Sequence, residues 1–431
     1  MEFRINSSPL RGEVRIPGSK SHTIRAVCVA ALAEGESVIG RPLVSADALA
    51  ARDAYRLLGA EITEEGDRWR VRGLGGRPRV PENVIDVRNS GTTMRIALGT
   101  AALLDGPGAV VLTGDAQVRR RPCGPLAETL TALGASVRST RGTGTPPFVV
   151  EGALSGGEAE LEAVTSQYVS SLLFCCPLAP DDTRLRVTLL NEKPYVEMTL
   201  DWLARQGVTV HTDPSLMEYH IPGGQSFQPV NRDIPGDFSS ATFFLAAGAL
   251  PDNEVFCRGL DMTDTQGDKA VVEYLRAMGA RVSVEGDGVR VSADALRGVE
   301  IDMNATPDAL PMMAVMGCFA AGETRLVNVP QARLKETDRI AVMRRELEKM
   351  GARITELPDG LVVSESPLRG AMVESHDDHR IAMALAVAGT RAAGETIIRA
   401  AEAVEVTYPK FPDHVAALGG RLEKTEENGG T

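Results

Sequence analysis

Apolar and polar positions along this chain fall into two recurring patterns. In the first, a run of small apolar residues breaks at Gly or Asp and passes into a strand-like segment. The copies are VAALAEGESVI, TAALLDGPGAVVL, CCPLAPDDTRLRV, AAGALPDNEVF, GCFAAGETRLV and AGTRAAGETII. In the second, a short helical ending closes on glycine before a β-branched alternation, as in LLGAEIT, ALGASVR, RQGVTVH, AMGARVS, KMGARIT and ALGGRLE. The pivots are Gly59, Gly134, Gly207, Gly279, Gly351 and Gly419. A glycine just past a helix adopts the left-handed conformation that satisfies the last helical carbonyls, and the alternation behind it predicts a strand. The spacing of roughly 72 residues exceeds the about 20–50 of a solenoid repeat. Each unit is therefore expected to be a small α/β subdomain holding at least two helices and several strands, and six units divide naturally into two groups of three. Ordinary helix stops recurring by chance are the competing reading, and the near-constant spacing argues against it.

Composition narrows the class. The 431 residues are 43% hydrophobic and 24% charged, ordinary for a globular protein, and the length predicts about two to three domains. Aromatics at 4% and a net charge of −12 oppose base stacking and duplex binding, so no nucleic-acid partner is expected. One basic pocket for a small anion remains compatible with an acidic chain. The start, MEFRINSSPLRGEV, has no apolar run behind a basic end, so no secretory leader is expected. The uncharged stretch 163–180 carries Thr165, Ser166, Gln167, Ser170 and Ser171, which opposes a spanning helix and a membrane partner. Six cysteines show no metal-type C-x-x-C spacing and predict buried free thiols in a reducing compartment. The final EKTEENGGT reads as a frayed polar end.

Candidate chemistry clusters in five stretches that set Lys or Arg beside small polar residues at predicted strand-to-helix junctions. They are PGSKSHTIR, RNSGTTMR, RRRPCGP, LKETDR and HDDHR. Helix N-termini offer free N–H groups and a positive dipole end to phosphate or carboxylate. Arg adds a bidentate fork and Lys a compact charge. Several such junctions in one repeat protein point to a polyanionic ligand. PGSKS lacks the spacing of a Walker loop.

These stretches, with TSQYVSSLL, EKPYVEMT, PDALPMM, DDHRIAMA and YPKF, resemble the 5-enolpyruvylshikimate-3-phosphate synthase family in order and over nearly the full length. The resemblance implies a two-domain inside-out α/β barrel of six βαβαββ repeats, three per domain. The first strand would join the C-terminal half, giving domains of about 1–18 plus 233–431 and 19–232. It implies transfer of the enolpyruvyl group of phosphoenolpyruvate to the 5-hydroxyl of shikimate 3-phosphate, with release of phosphate and closure of the two domains. By the same resemblance Lys20, Gly91, Arg121, Gln167, Arg339, Arg380 and Lys410 hold phosphoenolpyruvate. Ser21, Arg25, Thr165, Ser166, Gln167, Tyr195, Asp308 and Lys335 hold shikimate 3-phosphate. Asp308 is the expected base at the hydroxyl, with Glu336 and Lys20 at the methylene carbon. No cofactor, no metal, a monomer and a cytoplasmic location are implied.

Plainer readings compete at several positions. Lys20 and Ser21 suit a helix cap and its neighbour, KETDR an exposed salt-bridged helix face, Asp308 the cap of the following apolar helix, and Tyr195 a core aromatic. His376 and His379 around two aspartates invite a metal. The chain also departs from the commoner family pattern. Thr165 stands where Ser is frequent, Gln331 where Asn is, and Ile24 where a polar residue is. Glu192 stands where a small polar residue is common; a carboxylate there would repel a substrate phosphate, so Glu192 is left out of the expected site. The nearest rival transfers enolpyruvyl to UDP-N-acetylglucosamine; its reactive cysteine position is Ala116 here, and its Lys-Asn is Lys20-Ser21. An RNA-end cyclase is opposed by the acidic charge. A non-catalytic repeat-fold binding protein is opposed by the assembled acid, base and clamp residues.

Overall fold

The computed structural model describes residues 1–426. Among them, six four-stranded sheets follow one plan. A short strand lies parallel to a longer one, which pairs antiparallel with a third strand, itself antiparallel to a fourth at the far edge. In one example Asn231–Asp233 runs parallel to Glu36–Gly40, which pairs with Arg68–Arg72, itself paired with Glu61–Glu65. In another, Met372–Glu374 lies parallel to Thr396–Arg399, and the N-terminal strand Glu2–Asn6 sits between Thr396–Arg399 and Arg421–Thr425.

Before the longer strand of each sheet runs an apolar helix: Lys20–Leu32, Gly91–Ala101, Ser166–Cys175, Phe238–Gly248, Leu310–Cys318 or His379–Gly389. These are the small-residue runs of the sequence. Every residue of the last three is buried, a position that Ala and Gly permit because helix and sheet backbones approach closely. At Gly248 an added Cβ would lie 2.7 Å from the Val291 carbonyl oxygen in the strand Gly288–Ser292. The second helix of each repeat ends at a pivot glycine, and all six pivots have positive φ, from 74° at Gly207 to 109° at Gly134. Five lead within a few residues into strands of four or five residues. After Gly207 the expected strand shrinks to His211–Thr212. Gln225 explains this, donating to the Thr209 carbonyl at 3.0 Å and accepting from the Thr209 N–H at 2.8 Å, which takes that residue out of a ladder.

The chain divides into two compact units, Gly18–Ile234 and Met1–Pro17 with the chain from Pro235 onward. Each holds three of the four-stranded sheets and its own apolar core. All six cysteines are free and buried. Residues 423–425 correct the expected frayed end, because Glu2 and Phe3 pair with Thr425 and Lys424. The rest of that expectation, residues 427–431, lies outside the described residues. Among the described residues no helix is long and apolar enough to cross a membrane.

Candidate active site

All five basic stretches sit where strands or turns feed helices, and the side chains they carry gather at helix N-termini in both units. Within Gly18–Ile234, the side chains of Ser19, Ser90 and Thr165 cap three apolar helices. Lys20 opens the first of these; its ammonium lies 3.1 Å from the Asp47 carboxylate. Ser19 is the cap, so Lys20 and Ser21 are released from that duty. Gly91 opens the second, and the space its missing Cβ leaves is filled by guanidinium nitrogens of Arg121 at 2.6 Å and Arg95 at 3.2 Å from the Cβ position. Gln167, in the first turn of the third, accepts from Arg95 at 2.6 Å and donates to Thr92 at 3.1 Å.

Arg25 is almost wholly enclosed. It donates to Thr199 Oγ1 at 2.9 Å, the Ser21 carbonyl at 3.1 Å, the Tyr195 carbonyl at 3.0 Å and Ser170 Oγ at 3.3 Å. Burial lowers its pKa to about 10, so it stays a cation at neutral pH. Tyr195 is half-buried against the apolar core. The main correction concerns Glu192. Its Oε2 accepts from Thr165 Oγ1 at 3.1 Å, Ser166 Oγ at 2.9 Å and the Ser166 N–H at 3.3 Å. A residue left out of the site thus holds two of its expected members.

In the other unit, Arg339 is the hub. Its guanidinium is 1% exposed and donates to Asp378 at 2.8 Å, Asp308 at 2.6 Å and Glu336 at 2.5 Å. Burial opposes its charge, yet Asp378, Glu336 and Asp308 outweigh that and raise its pKa above the ordinary guanidinium value. The second Asp308 oxygen lies 2.8 Å from Arg380. Asp308 is therefore a bridge between two arginines, and the cap reading fails, since the helix Leu310–Cys318 has Ala309 at its cap position without a side-chain bond. Asp338 caps the helix Arg339–Lys349, which places Lys335 and Glu336 ahead of the helix instead of on an exposed face. Asp378 caps the helix that starts at His379. Lys410 is exposed at the start of Phe411–Ala417. Gln331 is buried and donates to the Asn304 carbonyl at 3.0 Å. The metal reading of His376 and His379 finds no support, as no cluster of His, Cys, Asp or Glu able to hold an ion occurs among the described residues; His376 instead lies 3.0 Å from the Glu346 carboxylate.

Asp47, Arg95 and Asp378, absent from the expected site, and Glu192, weighed there and set aside, all contact its expected members. Arg95 closes the RNSGTTMR stretch four residues after Gly91, a spacing that puts both on one helical face. Asp378 lies in HDDHR, a stretch singled out for its Arg and its two histidines.

These features define a repeat-built α/β protein in which each unit arrays basic and acidic side chains at helix N-termini, the design of an enzyme for small anionic substrates. The sequence model of the family described as EPSP synthase (3-phosphoshikimate 1-carboxyvinyltransferase) matches residues 5–415, and the chain belongs to that family. A 3-phosphoshikimate 1-carboxyvinyltransferase of Acetivibrio thermocellus is 54% identical over 99% of this chain and 100% of its own length. One from Ruminiclostridium cellulolyticum is 52% identical over 98% of this chain and 100% of its own. Among solved structures, an EPSP synthase from Acinetobacter baumannii superposes with a TM-score of 0.83 at 28% identity, covering 98% of this chain and 99% of that one.

Proposed function

We propose that this chain transfers the enolpyruvyl group of phosphoenolpyruvate to the 5-hydroxyl of shikimate 3-phosphate, releasing phosphate, as a step of aromatic biosynthesis. The observation that carries the reading is the full-length match at 54% identity to a relative named for this reaction. The geometry supports it, since both substrates are polyanions and the helix N-termini carry Lys20, Arg380 and Lys410, with the Arg121 guanidinium against Gly91 at another helix start.

In the addition step the 5-oxygen bonds to C2 of phosphoenolpyruvate, losing its proton as the methylene carbon gains one. Elimination then expels phosphate while that carbon gives up a proton, restoring the double bond. Asp308 is assigned the hydroxyl proton; a carboxylate within hydrogen-bond reach serves as base when the oxygen becomes acidic on bonding. Glu336 and Lys20 are assigned to the methylene end. Lys20, Gly91, Arg121, Gln167, Arg339, Arg380 and Lys410 are assigned to phosphoenolpyruvate, where fixed cations stabilise charge shifting onto the leaving phosphate. Ser21, Arg25, Thr165, Ser166, Gln167, Tyr195, Asp308 and Lys335 are assigned to shikimate 3-phosphate. Arg25 donates to four protein oxygens and is assigned to shaping the pocket as well as supplying charge. The reading treats the two compact units as functional domains of a cytoplasmic monomer that needs no cofactor or metal.

A phosphate-release assay with phosphoenolpyruvate tests it, comparing shikimate 3-phosphate with UDP-N-acetylglucosamine as acceptor. Release with the shikimate ester alone is expected, and no release with it overturns the reading. Lys20→Met and Arg121→Ala are expected to abolish turnover with the circular dichroism spectrum unchanged; near-normal rates in either would remove that residue from the site.

A further inference from the structure

Glu192 combines three unusual features. It begins the helix Lys193–Arg205 in a left-handed conformation, φ 59° and ψ 42°, yet its side chain makes no cap bond to that helix. The side chain runs instead to the start of the neighbouring helix Ser166–Cys175. There one carboxylate oxygen collects two hydroxyl donors and a backbone N–H, from Thr165 and Ser166, while the residue is 2% exposed. Donors converging on one point at a helix N-terminus form a seat for an anionic oxygen. Two enclosed arginines feel the occupant. Burial lowers the Arg25 pKa, and Tyr195, Cys28 and Glu192 work against that. Burial likewise opposes the Arg95 charge, and Cys123, Tyr168 and Glu192 favour it.

We propose that Glu192 is a specificity-determining residue whose carboxylate competes with the substrate's phosphomonoester for the seat at Thr165 and Ser166. The inference rests on the function proposed above, which assigns those two residues to shikimate 3-phosphate. A phosphate cannot share the seat with a carboxylate, because like charges in contact at a desolvated site are strongly unfavourable. Phosphate entry therefore requires the Glu192 side chain to rotate away and surrender three hydrogen bonds. The affinity for the phosphorylated acceptor is set by that exchange. The affinity for the same ring without its phosphate is not.

Two variants separate charge from shape. Glu192→Gln keeps an acceptor oxygen for Thr165 and Ser166 and removes the charge; Glu192→Ser removes both. The dissociation constant of shikimate 3-phosphate is measured by titration calorimetry, and KM values for shikimate 3-phosphate, shikimate and phosphoenolpyruvate by phosphate release, on the full chain. Both variants are expected to bind shikimate 3-phosphate about tenfold more tightly, with shikimate and phosphoenolpyruvate changed less than about twofold. Unchanged or weaker binding of shikimate 3-phosphate by Glu192→Gln overturns the inference and makes Glu192 a clamp between two helices. If Glu192→Ser does not fold, Glu192→Gln decides alone. Calorimetry also separates this failure from failure of the function. Should the unmodified chain release no phosphate, the proposed reaction falls, while a gain of shikimate 3-phosphate binding in Glu192→Gln still supports the seat and its lack still overturns it.

Discussion

A methyl group at position 91 has no vacant place to occupy, because the Cβ position lies 2.6 Å from an Arg121 guanidinium nitrogen. Arg121 must shift for Gly91→Ala to be accommodated, and Arg121 is assigned to phosphoenolpyruvate. Steady-state kinetics should show KM for phosphoenolpyruvate raised by about tenfold, equivalent to ~1.4 kcal/mol, with KM for shikimate 3-phosphate little changed. Arg339 makes the opposite kind of case. Its three carboxylate partners would be left facing one another in Arg339→Ala, and breaking a buried ion pair from one side costs about 3–5 kcal/mol. Urea unfolding should register that loss, and a stable variant would mean that the carboxylates find other donors. Individual residues were partly legible in the sequence. Basic residues beside Gly, Ser and Thr marked the helix starts, because capping and dipole effects are local. Partners such as Asp378 and Glu192 were not, since an ion pair or a reaching carboxylate depends on which helix start lies alongside.

At the scale of elements, the pivots and the tie between Arg339–Lys349 and the strand Met372–Glu374 carry separate expectations. Gly279 has φ 104°, where an added Cβ costs roughly 1–2 kcal/mol. Gly279→Ala should lower stability by that amount in chemical denaturation and leave the kinetics unchanged. Glu346 is fully buried on its helix and accepts from Lys349 at 2.6 Å and the Glu374 N–H at 2.9 Å, with His376 at 3.0 Å. Burial would raise its pKa, but the bonds from His376, Lys349 and the Glu374 N–H win and hold it below the ordinary glutamate value. A depressed carboxylate contributes stability that is present above its unfolded pKa of about 4.3 and lost as pH falls through the folded value. Glu346→Gln should therefore be less stable at pH 7, and melting curves of the two proteins should converge as pH drops below about 4. Helix ends and following strands were legible because period and punctuation are short-range signals. The shortened strand after Gly207 was not, since a side chain of Gln225 displaced the ladder there.

At the scale of the molecule, Phe3 and Ile5 are fully buried in a strand paired on both sides. Removing residues 1–6 should open that sheet and expose the unit that contains it to protease. Limited proteolysis with mass spectrometry should then leave a resistant fragment within Gly18–Ile234 and degrade the rest; a fully resistant shortened chain would contradict this. Hydrophobic pattern announced a repeat but could not say which sheet the first strand enters, because pairing partners at opposite ends of the chain leave no local periodicity.

That strand also sets an order in time. Its neighbours Thr396–Arg399 and Arg421–Thr425 are made far later along the chain. At about 5–20 residues per second, the first strand leaves the ribosome tens of seconds before either partner exists. Throughout synthesis it is an open edge, the kind of segment that recruits strands from other chains. Glu2 and Arg4 alternate with Phe3 and Ile5 along it, and charges on an edge discourage such pairing. The strand must wait for partners made much later than itself.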